Sequence, residues 1–132
     1  MNIPAGTACV LTTAGSHAIP VSTAVVVSDD VILFGLGRRR ESLRRLLEDP
    51  RVALTVMSAG QAFTAHGTAT EAGEVAGIQA VRLDVERVQD HMTERFAIRS
   101  GVVWEWTDAE AEARDAAVRA GLADLGIQGM PK

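Results

Sequence analysis

The stretch Phe34–Arg45, FGLGRRRESLRR, decides how the rest of the chain is read. An apolar strand-like run enters it, Gly35 and Gly37 interrupt its side chains, Arg38–Arg40 follow, and a helical pattern begins at Glu41 and Ser42. Five of the thirteen basic residues lie between Arg38 and Arg45, in a chain of net charge −4. A positive cluster at a strand-to-helix turn suits a phosphate-bearing ligand, because glycines admit the backbone while guanidinium groups and helix N-termini supply donors. A solvated basic helix face is the alternative reading of the same residues.

Upstream of that turn the pattern is β. Ala8–Thr13 is a short apolar and β-branched run closed by Ala14-Gly15-Ser16. His17–Ser28 alternates with Ile19, Val21, Thr23, Val25 and Val27 on one side, and Pro20 within it implies an edge position or a bulge. Asp29-Asp30 turns the chain into Val31–Leu36, which pairs back as a hairpin.

Downstream, Leu43, Leu46 and Leu47 form the apolar stripe of a short helix that Asp49-Pro50 stops. Arg51–Ser58, Ala62–Thr70 and Ile78–Val88 then alternate as strands, with Ala59-Gly60 and Glu71–Gly77 as connections. Asp90–Gly101 has no regular pattern, and Val102–Trp106 could add a short last strand. Thr107 with Glu110 matches a capping box, followed by a helix carrying Val118, Leu122 and Leu125 and ending before Gly126. The expected fold is all-β: six antiparallel strands closing into a small barrel, one helix after the third strand and another at the C-terminus.

Composition bounds the function. The 132 residues, 47% hydrophobic and 23% charged, predict one globular domain over 1–132. No apolar run approaches the roughly 20 residues that a membrane helix needs, and the N-terminus lacks a signal-peptide pattern, so a cytoplasmic protein with no membrane partner is expected. A lone cysteine, Cys9, excludes an internal disulfide framework and a multi-cysteine metal site. The acidic balance argues against a nucleic-acid partner and leaves the basic patch for a small anionic ligand.

Familiar catalytic sets are missing: there is no G-x-S-x-G, HExxH, Walker A or GxGxxG motif. His17, His66 and His91 lack metal-ligand spacing, so no metal site is expected, and no catalytic residue can be named. His66, among threonines on a polar strand face, is the most suggestive of the three. Any enzyme here would need a cofactor to carry the hard chemistry.

Taken in order, LTTAGSHAIPVS, VILFGL, the arginine-rich turn, EDPRVALTV and AHGTATE resemble the pyridoxamine 5′-phosphate oxidase-like flavin-binding split barrels. The resemblance spans Ala8 to Val88. It implies a homodimer with FMN, or a deazaflavin coenzyme, lying between the subunits and exchanging a hydride with a small substrate. It also implies that the ring rests against Pro20, Val21 and Ser22. The phosphate would sit at Phe34, Gly35, Gly37, Arg38, Arg39, Arg40 and Ser42. A non-catalytic flavin- or haem-binding protein is the other outcome the resemblance allows. One departure stands out: where FMN-binding members often carry an Arg-Lys pair, this chain has Glu41 and Ser42. The chain also lacks the substrate-binding C-terminal segment of a pyridoxamine phosphate oxidase. Trp104 and Trp106, on one side of a strand, could cover a ring in the neighbouring subunit, or else pack in a core or dimer interface.

Overall fold

The computed structural model describes residues 1–129. The chain runs β1 (Cys9–Thr13), β2 (His17–Val21), β3 (Val25–Ser28), β4 (Val31–Leu36), α1 (Glu41–Glu48), β5 (Arg51–Ser58), β6 (Gln61–Val75), β7 (Ile78–Asp90) and α2 (Ala109–Gly129). All seven strands join one antiparallel sheet in the order β2-β1-β5-β6-β7-β4-β3.

Two features of the expected barrel are corrected. The alternating run His17–Ser28 is two strands, because Ser22–Ala24 leaves the ladder, so there are seven strands and α1 follows the fourth. The sheet is also open: β2 and β3 are its two edges and do not pair with each other. Pro20 accordingly sits on an edge strand, where its missing N–H costs nothing. The edges cannot lie far apart, however. The link from Val21 to Val25 spans at most about 15 Å at ~3.8 Å per residue. A flat seven-stranded sheet would separate its edges by about 29 Å at ~4.8 Å per strand. The sheet must therefore curl strongly.

Curling divides the apolar residues between two cores. Strand β4 is buried on both faces, which is why Val31–Leu36 reads as a continuous apolar run rather than an alternation. Ile32, Phe34 and Leu36 face the interior of the curl with Leu11, Leu54, Val56 and Leu83, and Leu43 and Leu46 of α1 close that core. Val31 and Leu33 face outward and pack with Ala80 under Val118 and Leu122 of α2. The long strands β6 and β7 bend at register shifts between His66 and Gly67 and between Glu71 and Glu74. The expected Glu71–Gly77 connection is in fact mostly strand, with only Ala76-Gly77 turning.

Other local expectations shift for physical reasons. In α1 the buried face is Ser42, Leu43 and Leu46, while Leu47 is exposed. Val102–Trp106 is not a strand and pairs with none of the seven. Asp108, not Thr107, caps α2: its Oδ1 accepts from the N–H of Glu110 at 2.7 Å and of Ala111 at 3.4 Å. The helix also continues past Gly126 to Gly129. Gly126 lies against the sheet, where a Cβ would sit 2.8 Å from Val27 Cγ2. Its small size serves close packing, not a helix stop.

Candidate functional site

A cleft of about 450 Å³ opens where the β2–β3 link, the end of β4, the β6–β7 turn and the first turns of α2 converge. That volume falls in the range of roughly 300–1,000 Å³ typical of small-molecule sites. The convergence follows from the curl, which brings β2, at one edge of the sheet, beside β4, next to the other edge.

The floor is Gly35. It occupies the outward row of β4, and a Cβ there would collide with Ile78 Cδ1 and reach 3.0 Å from Val118 Cγ1. Glycine lets Ile78 and α2 settle on the strand. Beyond the β3–β4 ladder, Thr23 takes over the backbone of Gly35: its Oγ1 accepts from the Gly35 N–H at 3.0 Å and donates to the Gly35 carbonyl at 3.5 Å.

One end of the cleft is cationic. Gly37 and Arg40 form a turn closed by the Arg40 N–H donating to the Gly37 carbonyl at 3.0 Å, and Arg40 occupies the N-cap of α1. No side chain caps that helix, so the N–H groups of its first turn receive no side-chain acceptor. Among the described residues, no carboxylate lies within ion-pair distance of Arg40. Arg114 of α2 lines the same cleft and is only 3.6 Å from Glu110 at a well-exposed pair.

The side wall carries a buried polar contact. Ser22 Oγ donates to Asp115 Oδ1 at 2.8 Å, and Asp115 Oδ2 accepts from Arg119 Nε at 3.0 Å. Trp106 leads into α2 and lines the cleft as well. Trp104 turns away from it: its Nε1 donates to the Gly6 carbonyl at 3.2 Å, and the two indoles meet edge-on with centroids 5.1 Å apart.

Of the residues expected at a cofactor site, Pro20, Val21, Ser22, Gly35, Gly37 and Arg40 come together in this cleft. The remaining four do not. Phe34 is fully buried in the inner core, because strand alternation turns it to the face opposite Gly35. Arg38 forms an ion pair with Glu74, and Arg39 is exposed outside the cleft. Ser42 is 1% exposed and is hydrogen-bonded to His17. The Glu41 carboxylate is engaged as well: His17 Nδ1, Arg44 Nη2 and Arg45 Nε lie 3.1, 3.2 and 3.3 Å from it, so an imidazole and two guanidinium groups surround it.

Trp106 is anticipated as a ring cover or as packing, whereas Thr23, Ile78, Arg114, Asp115 and Val118 are not expected at a site. The only signal was the i,i+4 pair of Asp115 and Arg119, which commonly marks nothing more than a helix surface. His66 and His91 lie elsewhere, bonded to Gln89 Oε1 at 3.3 Å and Thr64 Oγ1 at 2.7 Å. Cys9 is fully buried, and desolvation pushes its thiol up to about 11. Among the described residues, no group of three or more His, Cys, Asp or Glu is placed to hold a metal, and no helix is long and apolar enough to cross a membrane.

The model of the flavin reductase-like domain matches residues 1–112. Among solved structures, HupZ of Group A Streptococcus superposes with a TM-score of 0.55 at 9% identity, covering 72% of this chain and 90% of HupZ. Its H111A variant gives the same TM-score and identity, over 65% of this chain and 91% of that one. At that identity the likeness is one of fold. No curated protein matches the chain.

Proposed function

This chain belongs to the flavin reductase-like domain family, within the FMN-binding split-barrel proteins, and from that membership we propose that it is a flavin-dependent oxidoreductase with FMN as cofactor. The observation that carries the proposal is the cleft itself: a mostly apolar space of ring-binding size with Arg40, which has no carboxylate partner among the described residues, at a helix N-terminus without a side-chain cap. The residues present fit the group. Arg40 and the first-turn N–H groups of α1 suit its phosphate. Val21, Ile78 and Val118 offer apolar surface to the ring, with Trp106 at the rim.

When bound, the flavin supplies hydride chemistry, accepting or donating at its reactive ring position. The chain's part is to bind, orient and exclude water. Gly35, clamped by Thr23, lets Ile78 and Val118 close over the strand as an apolar floor. Ser22 fixes one polar contact on the wall. Among the described residues, no histidine lines the cleft, and the one carboxylate that does, Asp115, already engages Ser22 and Arg119. Proton transfer to a substrate is therefore left to solvent or to the substrate itself.

The same reading carries a homodimer, supported by Val102 and Val103, which are 69% and 89% exposed on the segment leading to Trp104 and Trp106. A second copy would cover that apolar segment and narrow the cleft. A deazaflavin coenzyme would use the same phosphate end. A non-catalytic carrier of flavin or haem is favoured by one observation, the missing free acid or base in the cleft.

The test is the absorption spectrum of the purified protein, then titration with FMN and with the deazaflavin coenzyme. Anaerobic mixing of the loaded protein with reduced nicotinamide nucleotides follows, alongside a mass measurement in solution. Flavin uptake with reduction supports the oxidoreductase. Uptake with neither reduction nor reoxidation supports the carrier, and no uptake of either coenzyme overturns the oxidoreductase and the flavin carrier.

A further inference from the structure

Apart from Ala111, the wall that α2 gives to the cleft lies beyond residue 112, where the family match ends, so Asp115 and Arg119 are features of this chain rather than of its family model. Asp115 is 8% exposed. Each of its oxygens is engaged, Oδ1 by the Ser22 hydroxyl at 2.8 Å and Oδ2 by Arg119 Nε at 3.0 Å. A carboxylate so committed has little left to offer a ligand directly.

Its effect on Ser22 is chemical. A serine hydroxyl has one proton and two lone pairs, whereas a carboxylate only accepts. Asp115 takes the Ser22 proton and cannot return one. Ser22 also lines the cleft, so toward a ligand its oxygen is an acceptor only. A ligand acceptor placed against it leaves two buried acceptors facing each other, a pairing that costs more than a missing bond.

We infer that Asp115 is a positioning residue that fixes Ser22 as an obligate hydrogen-bond acceptor, so that this wall selects a ligand edge presenting an N–H. The inference rests on the flavin reading above and deepens it. The polar edge of an oxidised flavin ring is mostly acceptors, with the imide N–H as its donor, and the ring gains a further N–H on reduction. Ser22 takes the imide donor, which is present in both oxidation states. The phosphate end, at Arg40, is a separate contact.

The experiment is a titration of the full chain with FMN and, separately, with riboflavin, which lacks the phosphate. It compares the unaltered protein with Ser22→Ala, Ser22→Thr, Asp115→Asn and the Ser22→Ala/Asp115→Asn double variant. Thermal melts run alongside. In Asp115→Asn the amide can donate to Ser22 and release its proton, which reverses the polarity of the wall. Ser22→Ala and Asp115→Asn are each expected to weaken both ligands by about 5- to 30-fold. Ser22→Thr keeps the hydroxyl and most of the affinity. The double variant binds no more weakly than Ser22→Ala, because Asp115 acts through Ser22.

Lost affinity for both oxidised ligands in folded Asp115→Asn supports the inference. It is overturned if folded Asp115→Asn binds both ligands within twofold of the unaltered protein, or if the two single losses multiply in the double variant. Should Asp115→Asn fail to fold, equal affinities of Ser22→Ala and the unaltered protein overturn it instead. If the unaltered protein binds neither FMN nor riboflavin, the flavin reading falls and takes this inference with it. Binding with indifferent variants removes the inference alone.

Discussion

His17 and Ser42 meet across the base of α1: the imidazole Nε2 lies 3.1 Å from the Ser42 hydroxyl, while Nδ1 lies 3.1 Å from Glu41. The histidine at the start of β2 thus anchors the helix that follows the basic turn. It also occupies the serine that a phosphate would otherwise be expected to reach.

That contact predicts a separation of stability from binding. Ser42 is buried, and removing its hydroxyl leaves the imidazole without its partner. His17→Ala and Ser42→Ala should each lower stability by about 1–2 kcal/mol. Flavin affinity should stay within about twofold, since neither residue lines the cleft. Urea denaturation and flavin titration of the two variants check this, and a large affinity loss in Ser42→Ala would return that serine to the phosphate site.

The three consecutive arginines should behave unequally. Arg40 lines the cleft without an acidic partner, Arg38 is engaged by Glu74, and Arg39 lies outside. Loss of a charge-assisted bond costs about 1.5–3 kcal/mol, so Arg40→Ala should weaken FMN by about 10- to 100-fold. Riboflavin should be unaffected. Arg39→Ala should change FMN affinity by less than about threefold, through a screened long-range field that vanishes in high salt. Equal losses in the two variants would contradict the assignment.

Cys9 gives a pH dependence of defined sign. Its folded thiol is pushed from 9.0 up to about 11 by burial, so above pH 9 the unfolded chain releases a proton that the native chain keeps. The unfolded state then binds fewer protons, and stability falls as pH rises, by about 1.4 kcal/mol per unit for this one group. The contribution is fully present below pH 9 and lost toward pH 11. Urea midpoints across that range should show a steeper decline in the unaltered protein than in Cys9→Ala. In the native state the thiol should also react slowly with disulfide reagents at pH 8.

Gly126 tests how closely α2 lies on the sheet. In an exposed helix Gly→Ala gains about 1 kcal/mol. Here the new Cβ would sit 2.8 and 3.3 Å from the two methyls of Val27, a stiff β-branched side chain. Overpacking of that kind costs about 1–3 kcal/mol and should outweigh the helical gain. Gly126→Ala should therefore lower the melting temperature, and adding Val27→Ala should recover much of it.

Most of the strands were legible because their signals are short-range. Arg51–Ser58 and Val31–Leu36 have the bounds that alternation and turn residues predict. The division of His17–Ser28 was not legible, because Ser22–Ala24 continues the alternating pattern while leaving the ladder. Nor was the burial of Ser42 in place of Leu47, which depends on what α1 packs against rather than on its own periodicity. At the site, the glycines and Arg40 could be found from composition and charge. Arg114 and Asp115 could not, since nothing local distinguishes them from an ordinary surface helix, whereas Trp106 stood out as one of two tryptophans.

By itself, then, the sequence determined an antiparallel β protein, a basic strand-to-helix turn and its family resemblance, all of which are written in spacings of a few residues. The tertiary structure decided which members of that turn share a cleft and what closes it. The physical reason is the curl of the sheet. It brings Ser22 within 2.8 Å of a carboxylate 93 residues away, a meeting fixed by long-range packing on which no local pattern bears.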